Sequence, residues 1–291
     1  MKGDNRRFSI DYNKGLKGSL AINGQEWLGQ GAVKTTHSAL LSIFQVNAPP
    51  ASSSSASACG LGRKPNEPVV AKRFYYDEVP KNSTVTTGVV PKAAKIKRYS
   101  FEDERRKVEA EANLLYWADS LMLLAYSWIE AQIAQRTNNG DPCPLTIPQL
   151  PFVHGGVASV QGGLGFNTPE FTGRKLFYQP NATYLIEELI PSALGDFVKY
   201  VHNVDPTPQL PSFAGPAYEI AEFLCFVQHV QYWKTDAMVY ISDFQGTQHI
   251  LLSGLAWRLN TTLTGAGHLL TDPQVMTNPY VLRLQVIFAT Y

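Results

Sequence analysis

From Phe101 to about Gln135 the sequence carries one long helical pattern, and no other feature limits the fold as strongly. Val108, Leu115, Ala118, Met122, Ala125 and Ile129 recur at helical spacing and predict a single apolar face. Ser100 stands three residues before Asp103, and Glu102, Asp103 and Glu104 suit the positive end of a helix dipole, so the helix starts here. Asn138-Asn139-Gly140-Asp141-Pro142 stops it. Before this helix the chain reads as strands. Residues 19–46 alternate apolar and polar positions around Gly24, Gly29 and Gly31, predicting a strand, a glycine turn and a second strand, and Val69 to Tyr75 is a short β-rich segment. After the helix, Tyr184-Leu185-Ile186 opens a strand, four prolines mark a loop over residues 205–216, Tyr218 to Tyr232 reads as a second helix, and Ala237 to Phe244 as a buried strand. This layout predicts a mixed α+β protein in two lobes.

Charge and cysteine content narrow the function. The 291 residues carry 25 Lys+Arg against 24 Asp+Glu, a net charge of +1, which excludes a protein built for blanket phosphate neutralisation. Aromatic and basic residues interleave only sparsely, so no nucleic-acid partner is expected. Cys59, Cys143 and Cys225 are widely spaced with no CxxC pair, which fits a reducing compartment rather than a disulfide scaffold. The N-terminal segment has no apolar signal region. The apolar stretch Leu114 to Ile133 is broken by Asp119, Ser120, Ser127 and Glu130, short of the roughly 18 uninterrupted apolar residues of a span. The expectation is an intracellular, cytoplasmic protein without a membrane partner. The Ser-rich run within residues 47–66 reads as a surface loop, and the basic stretch Lys92 to Lys107 as a solvated helix face.

Several residues carry candidate chemistry, each with a plain alternative. Lys72, alone among apolar neighbours, either reaches an anion or sits on the solvent face of an edge strand. The turn Gly29-Gln30-Gly31 with Lys34 either cradles phosphate through its backbone N–H groups or is a hairpin turn. Asp243 and Gln245 end the apolar strand Met238 to Ile241. If the strand continues they share a face and can both offer oxygens to a hard cation; otherwise Asp243 closes an Asx-turn. Asp272 in Thr271-Asp272-Pro273-Gln274 is a second candidate carboxylate or a turn residue. The cluster Gln161 to Gly165 reads as loop, and His229 on the second helix as a packed core histidine.

In order along the chain, these pieces resemble the α-kinases, an atypical protein kinase family, in its fungal form. The resemblance rests on Gly29 to Lys34, Val70-Ala71-Lys72-Arg73, the long helix, Tyr184 to Glu188, Phe197-Val198-Lys199-Tyr200 with Asn203, Glu222 to His229, and above all Asp243-Phe244-Gln245-Gly246 with Leu270 to Gln274. It implies a two-lobed protein-kinase-like fold of the α-kinase type. Residues 1–18 would then be an N-terminal extension and residues 19–291 the kinase domain, with an N-lobe over about 19–186 and a C-lobe over about 187–291.

The roles it implies are as follows. Lys72 would bind the α/β-phosphates of ATP, and Gly29, Gly31 and Lys34 would cover them. Glu187 would meet adenine with its backbone at the hinge. Asn203 would help form the phosphate and metal site, Asp243 would be the catalytic carboxylate, and Gln245 and Asp272 would hold Mg2+. The function implied is a Ser/Thr protein kinase using MgATP on a protein substrate. Two departures carry an alternative. Asp243 and Asp272 are 29 positions apart, so residues 247–268 read as an insert. The family's His/Cys cluster is also missing after Cys225, so structural zinc is expected to be absent. The alternative is a catalytically impaired pseudokinase or ATP-binding scaffold.

Overall fold

The computed structural model describes residues 14–44, 61–62, 64–78, 95–143, 147–160, 182–190, 197–247 and 269–277. The expected extension, Ser-rich loop, glycine cluster at 161–165, insert and C-terminal tail lie wholly or largely outside them. Two compact units are present. One holds the described residues up to Ala112 together with His154–Leu189; the other holds Asn113–Val153 and the described residues from Ile190 onward. The long helix therefore contributes its first third to one unit and the rest to the other.

In the first unit, strand β1 (Gly18–Gln30) turns through Gly31, whose N–H donates to the Lys34 carbonyl at 2.9 Å, into β2 (Lys34–Ile43). Along β2, Thr35, His37, Ala39 and Leu41 are buried at every second position, as a half-buried strand requires. Strand β3 (Glu67–Phe74) lies against β2, with Thr36 opposite Lys72. A small antiparallel pair, β4 (Tyr76–Glu78) and β5 (Lys95–Lys97), leads to helix α1 (Phe101–Asn138). Ser100 caps it as expected: the Asp103 N–H donates to Ser100 Oγ at 3.2 Å, and Ser100 Oγ donates to the Asp103 carboxylate at 2.6 Å. All six residues of the predicted apolar face are buried.

Strands β6 (Gly155–Val160) and β7 (Ala182–Glu188) complete an antiparallel sheet in the order β1-β2-β3-β7-β6. The expected lobe boundary at residues 186 and 187 falls inside β7. One face of this sheet carries the core of the unit, with Ala39, Leu41, Val69, Ala71, Ala182, Tyr184 and Ile186. The basic stretch before α1 is not uniformly a solvated face. The Arg98 guanidinium turns inward and donates to the carbonyls of Arg73 (3.2 Å) and Phe74 (3.1 Å) and to Thr35 Oγ1 (2.9 Å). Those carbonyls end β3, and Nη1 of the guanidinium donates to both while Nη2 serves Thr35.

The second unit packs the later turns of α1 against helix α2 and a set of short strands. Strand β8 (Phe197–Lys199) comes first, then α2 (Pro216–Lys234), which opens with proline where a helix tolerates it, then β9 (Val239–Ser242), β10 (Gln245–Thr247), β11 (Leu270–Thr271) and β12 (Gln274–Thr277). Met122, Ala125, Leu150, Leu224, Ile241 and Phe244 belong to its core. Two glutamines of α2 serve the edge of β9: Gln228 Nε2 donates to the Ile241 carbonyl at 2.8 Å, and Gln231 Oε1 accepts the Ile241 N–H at 2.9 Å. A sheet edge that would need a further strand is thus completed by side chains. Among the described residues, no helix is long and apolar enough to cross a membrane.

Candidate functional site

Each unit holds one charged cluster. In the first, Lys72 sits on β3, between β2 and β7, and is 8% exposed. The edge-strand, solvent-facing alternative for Lys72 therefore does not hold: β3 is paired on both sides and the side chain is buried. Its ammonium lies 2.8 Å from the Glu187 carboxylate, itself 2% exposed. The register sets Val70 opposite Glu187 and Lys72 opposite Leu185, so lysine and glutamate form a diagonal pair on one sheet face. A buried cation is tolerable because this anion accompanies it. The Glu187 backbone runs between Val70 of β3 and Gly155 of β6. At the end of β7, the Glu188 N–H donates to the His154 carbonyl at 3.0 Å.

The glycine turn lies in the same cross-strand row. Gly29 is opposite Thr36, and Thr36 is opposite Lys72, which sets Gly29 and Lys72 two strand spacings apart, about 10 Å. A Cβ at Gly29 would meet nothing within 4 Å, so the backbone there is open to approach. Gly31 closes the turn. Lys34 is directed elsewhere: its ammonium lies 2.6 Å from Glu111 of α1 and 5.8 Å from the centre of the Phe74 ring.

In the second unit, two chain segments cross between ladders at aspartates. β9 pairs with β12 and sets Ser242 opposite Gln274; β10 pairs with β11 and sets Gln245 opposite Thr271. The same antiparallel register holds on both sides, so Asp243 and Asp272 sit one position out of step at the crossing. Both are in the left-handed region, with φ of 59° and 54°. Of the two alternatives for Asp243, the continued strand that would share a face with Gln245 does not hold: β9 ends at Ser242, the left-handed aspartate breaks the alternation, and β10 joins another ladder.

Side chains nevertheless converge there. Gln245 Nε2 donates to the Asp272 carboxylate at 3.4 Å, and Asn203 Nδ2 to Gln274 Oε1 at 3.3 Å. The Lys199 ammonium lies 2.5 Å from the Asp243 carboxylate. Phe244 between them is fully buried and stacks on Phe152 with centroids 6.3 Å apart. Gly246 has a specific reason to be glycine, since a Cβ there would overlap the Leu269 carbonyl oxygen across the β10–β11 pair. Tyr200 donates to the Thr247 carbonyl at 3.0 Å, and burial pushes its hydroxyl up to about 12.

Lys199 and Gln274 received no role from the sequence. The signal available for Lys199 was the single charge in Phe197-Val198-Lys199-Tyr200, but only the β8–β10 pairing, Lys199 opposite Gln245, shows what it meets. The reading of His229 as a core residue is also corrected: it is exposed and lines an open apolar pocket with Trp128, Phe226 and Trp233. Its spacing on α2 turns it away from the buried face of Leu224, Val227 and Gln231. Among the described residues, no three of His, Cys, Asp and Glu gather as a metal cluster.

The sequence profile of the alpha-kinase family matches residues 53–282. No curated protein matches the sequence. Solved structures that are similar include the apoenzyme alpha-kinase domain of myosin-II heavy chain kinase A, at 14% identity and a TM-score of 0.43, with 90% of this chain and 76% of that one covered. The same domain in complex with AMP-PNP gives 14% identity, a TM-score of 0.44, and coverage of 90% and 75%. An inactive form of it complexed with ATP gives 12% identity, a TM-score of 0.43, and coverage of 90% and 76%.

Proposed function

The chain belongs to the alpha-kinase family, and from that premise we propose that it is a Ser/Thr protein kinase transferring the γ-phosphate of MgATP to a protein substrate. The observation that carries this reading is the convergence of Asp243, Gln245, Asp272, Asn203 and Lys199 at the two strand crossings. Asp243 and Asp272 are both held in the left-handed region there, a conformation that clusters at active sites.

The donor set fits magnesium. Asp272 offers a carboxylate, and Gln245 and Asn203 offer amide oxygens, which are the hard oxygen ligands this ion takes. The Asn203 Oδ1 atom is buried without a hydrogen-bond donor, while its Nδ2 is engaged by Gln274, an orientation that leaves the oxygen for a cation. Carboxylates set beside amide oxygens also suit an ion that shares its ligation with substrate phosphates. When bound, magnesium supplies neutralisation of the charge spread over the phosphoryl oxygens.

In this mechanism the chain's own residues position and move a proton. Lys72, held in place by Glu187, would direct its ammonium to the α/β-phosphates, and the open backbone at Gly29, on the turn that Gly31 closes, would cover them. Asp243 accepts the proton of the attacking hydroxyl as the new P–O bond forms and the bond to the β,γ-bridging oxygen breaks. Lys199 fixes the direction of the Asp243 carboxylate. Lys34 acts through Glu111, bracing the turn against α1 rather than touching phosphate.

The test is transfer of radiolabelled γ-phosphate from ATP to a generic basic protein, with and without magnesium. Asp243→Ala should lower the rate by about 100- to 10,000-fold, and chelation of magnesium should abolish it. A folded wild-type chain that binds AMP-PNP but transfers nothing would favour the impaired scaffold.

A further inference from the structure

Lys72 and Arg73 are neighbours on β3 and therefore point to opposite faces of the sheet. On the face away from Lys72, Glu104 of α1 is completely buried, and three donors serve it: Arg73 Nε at 2.6 Å, Arg73 Nη2 at 3.3 Å and the Thr183 N–H at 3.0 Å. A carboxylate in such a place is stable only when donors of this kind surround it, and the Arg73 fork supplies two in one plane. The Arg73 guanidinium also lies 5.4 Å from the Tyr184 ring centre.

The position of this node matters. The β3–β7 ladder begins at Val69–Glu188 and its last rung is Lys72–Leu185. Continued by two residues, the register would set Phe74 opposite Thr183, but Thr183 bonds Glu104 instead. Lys72 thus stands on the terminal rung, where a ladder opens most easily, and a side chain of α1 replaces the rung beyond it. Arg98, just before α1, adds a second hold through the Arg73 and Phe74 carbonyls.

We propose that Glu104 and Arg73 are positioning residues: they clamp the open end of the β3–β7 ladder to α1 and so keep Lys72 aligned with Glu187. The consequence for nucleotide affinity rests on the reading of Lys72 as the phosphate ligand. The clamp itself does not, so the two can fail separately.

The experiment uses the full chain and Glu104→Gln, which keeps the shape and removes the charge. Hydrogen exchange should accelerate over residues 70–74 and 182–186 and stay unchanged over residues 39–43. If the aligned state falls to about a tenth of the population, the Kd for AMP-PNP measured by calorimetry rises about tenfold. In a Lys72→Ala background the same substitution should change the Kd no further, because it acts through Lys72. Arg73→Lys, which keeps the cation and loses the fork, should give the same pattern and serves if Glu104→Gln does not fold. Unchanged exchange, or an equal loss of affinity in both backgrounds, would overturn the proposal. A wild-type chain that fails to bind AMP-PNP would overturn the phosphate reading of Lys72, and exchange alone would then decide the clamp.

Discussion

Lys72 and Glu187 meet through regular strand geometry, whereas Asp243 and Asp272 stand at the two points where strands stop being regular. In the first region the backbone is ordinary, and the cost lies in electrostatics: a cation and an anion, 8% and 2% exposed, must keep each other. In the second, Asp243 is as enclosed as Lys72, at 7% exposed, and a further cost lies in the backbone. A left-handed aspartate costs about 1–2 kcal/mol, and surrounding contacts hold it. Phe244 is locked in the core, and its carbonyl accepts the Tyr200 N–H at 2.8 Å. One fold therefore positions charge in two ways, by pairing buried groups on a rigid ladder and by bending a strand at a fixed residue.

The comparison predicts that truncation hurts stability most in the sheet. Lys72→Ala leaves Glu187 buried without its cation and should cost about 3 kcal/mol in denaturant unfolding, while Lys72→Met with Glu187→Leu should regain most of it. Near-equal stability of the single and double variants would mean that the pair does not carry the energetics of this region. A smaller effect separates two inactive variants at the crossing. Asp243→Gly should be more stable than Asp243→Ala by about 1 kcal/mol, because glycine enters the left-handed region without a Cβ penalty. A stability equal to or below that of the alanine variant would show that the backbone there is not under strain.

The smallest effect concerns pH. His37 is buried beside Thr35, and its pKa is lowered, first by burial and further by the Arg98 and Arg73 charges, against a backbone hydrogen bond to Asn23 that raises it. The unfolded chain then takes up a proton at a higher pH than the folded one. The contribution of His37 to stability is complete above the ordinary value of 6.5 and declines as pH falls below it. His37→Gln should flatten that decline in thermal melts between pH 7.5 and 5; a wild-type curve without a decline there would contradict the burial argument.

How much of this was legible beforehand differs by region. Period-two burial along Lys34–Ile43 and the capped, one-faced helix from Phe101 follow from side-chain chemistry acting over a few residues, and the structure keeps both. The motif around Asp243 was legible as a string, but its geometry was not. Strand continuation would have set Asp243 and Gln245 on one face, and only the switch from the β9–β12 ladder to the β10–β11 ladder, with φ turned positive, separates them. The role of Lys199 is not local, because it depends on a strand far away in sequence, with Gln245 opposite it. The basic run around Arg98 reads as solvated until the carbonyls ending β3 are there to receive its guanidinium.

The mixed class, the long helix and its cap, the strand that carries Lys72, and the family all follow from the order of residues along the chain. Each depends on local periodicity or on an ordered set of short motifs, and both survive without knowledge of distant neighbours. That Lys72 is central and paired with Glu187, that Lys34 turns to Glu111, that Glu104 replaces a strand partner, and that both aspartates lie at kinks come from the folded arrangement. Those outcomes are settled by which buried groups must find partners across the fold, and residues far apart in the chain supply them.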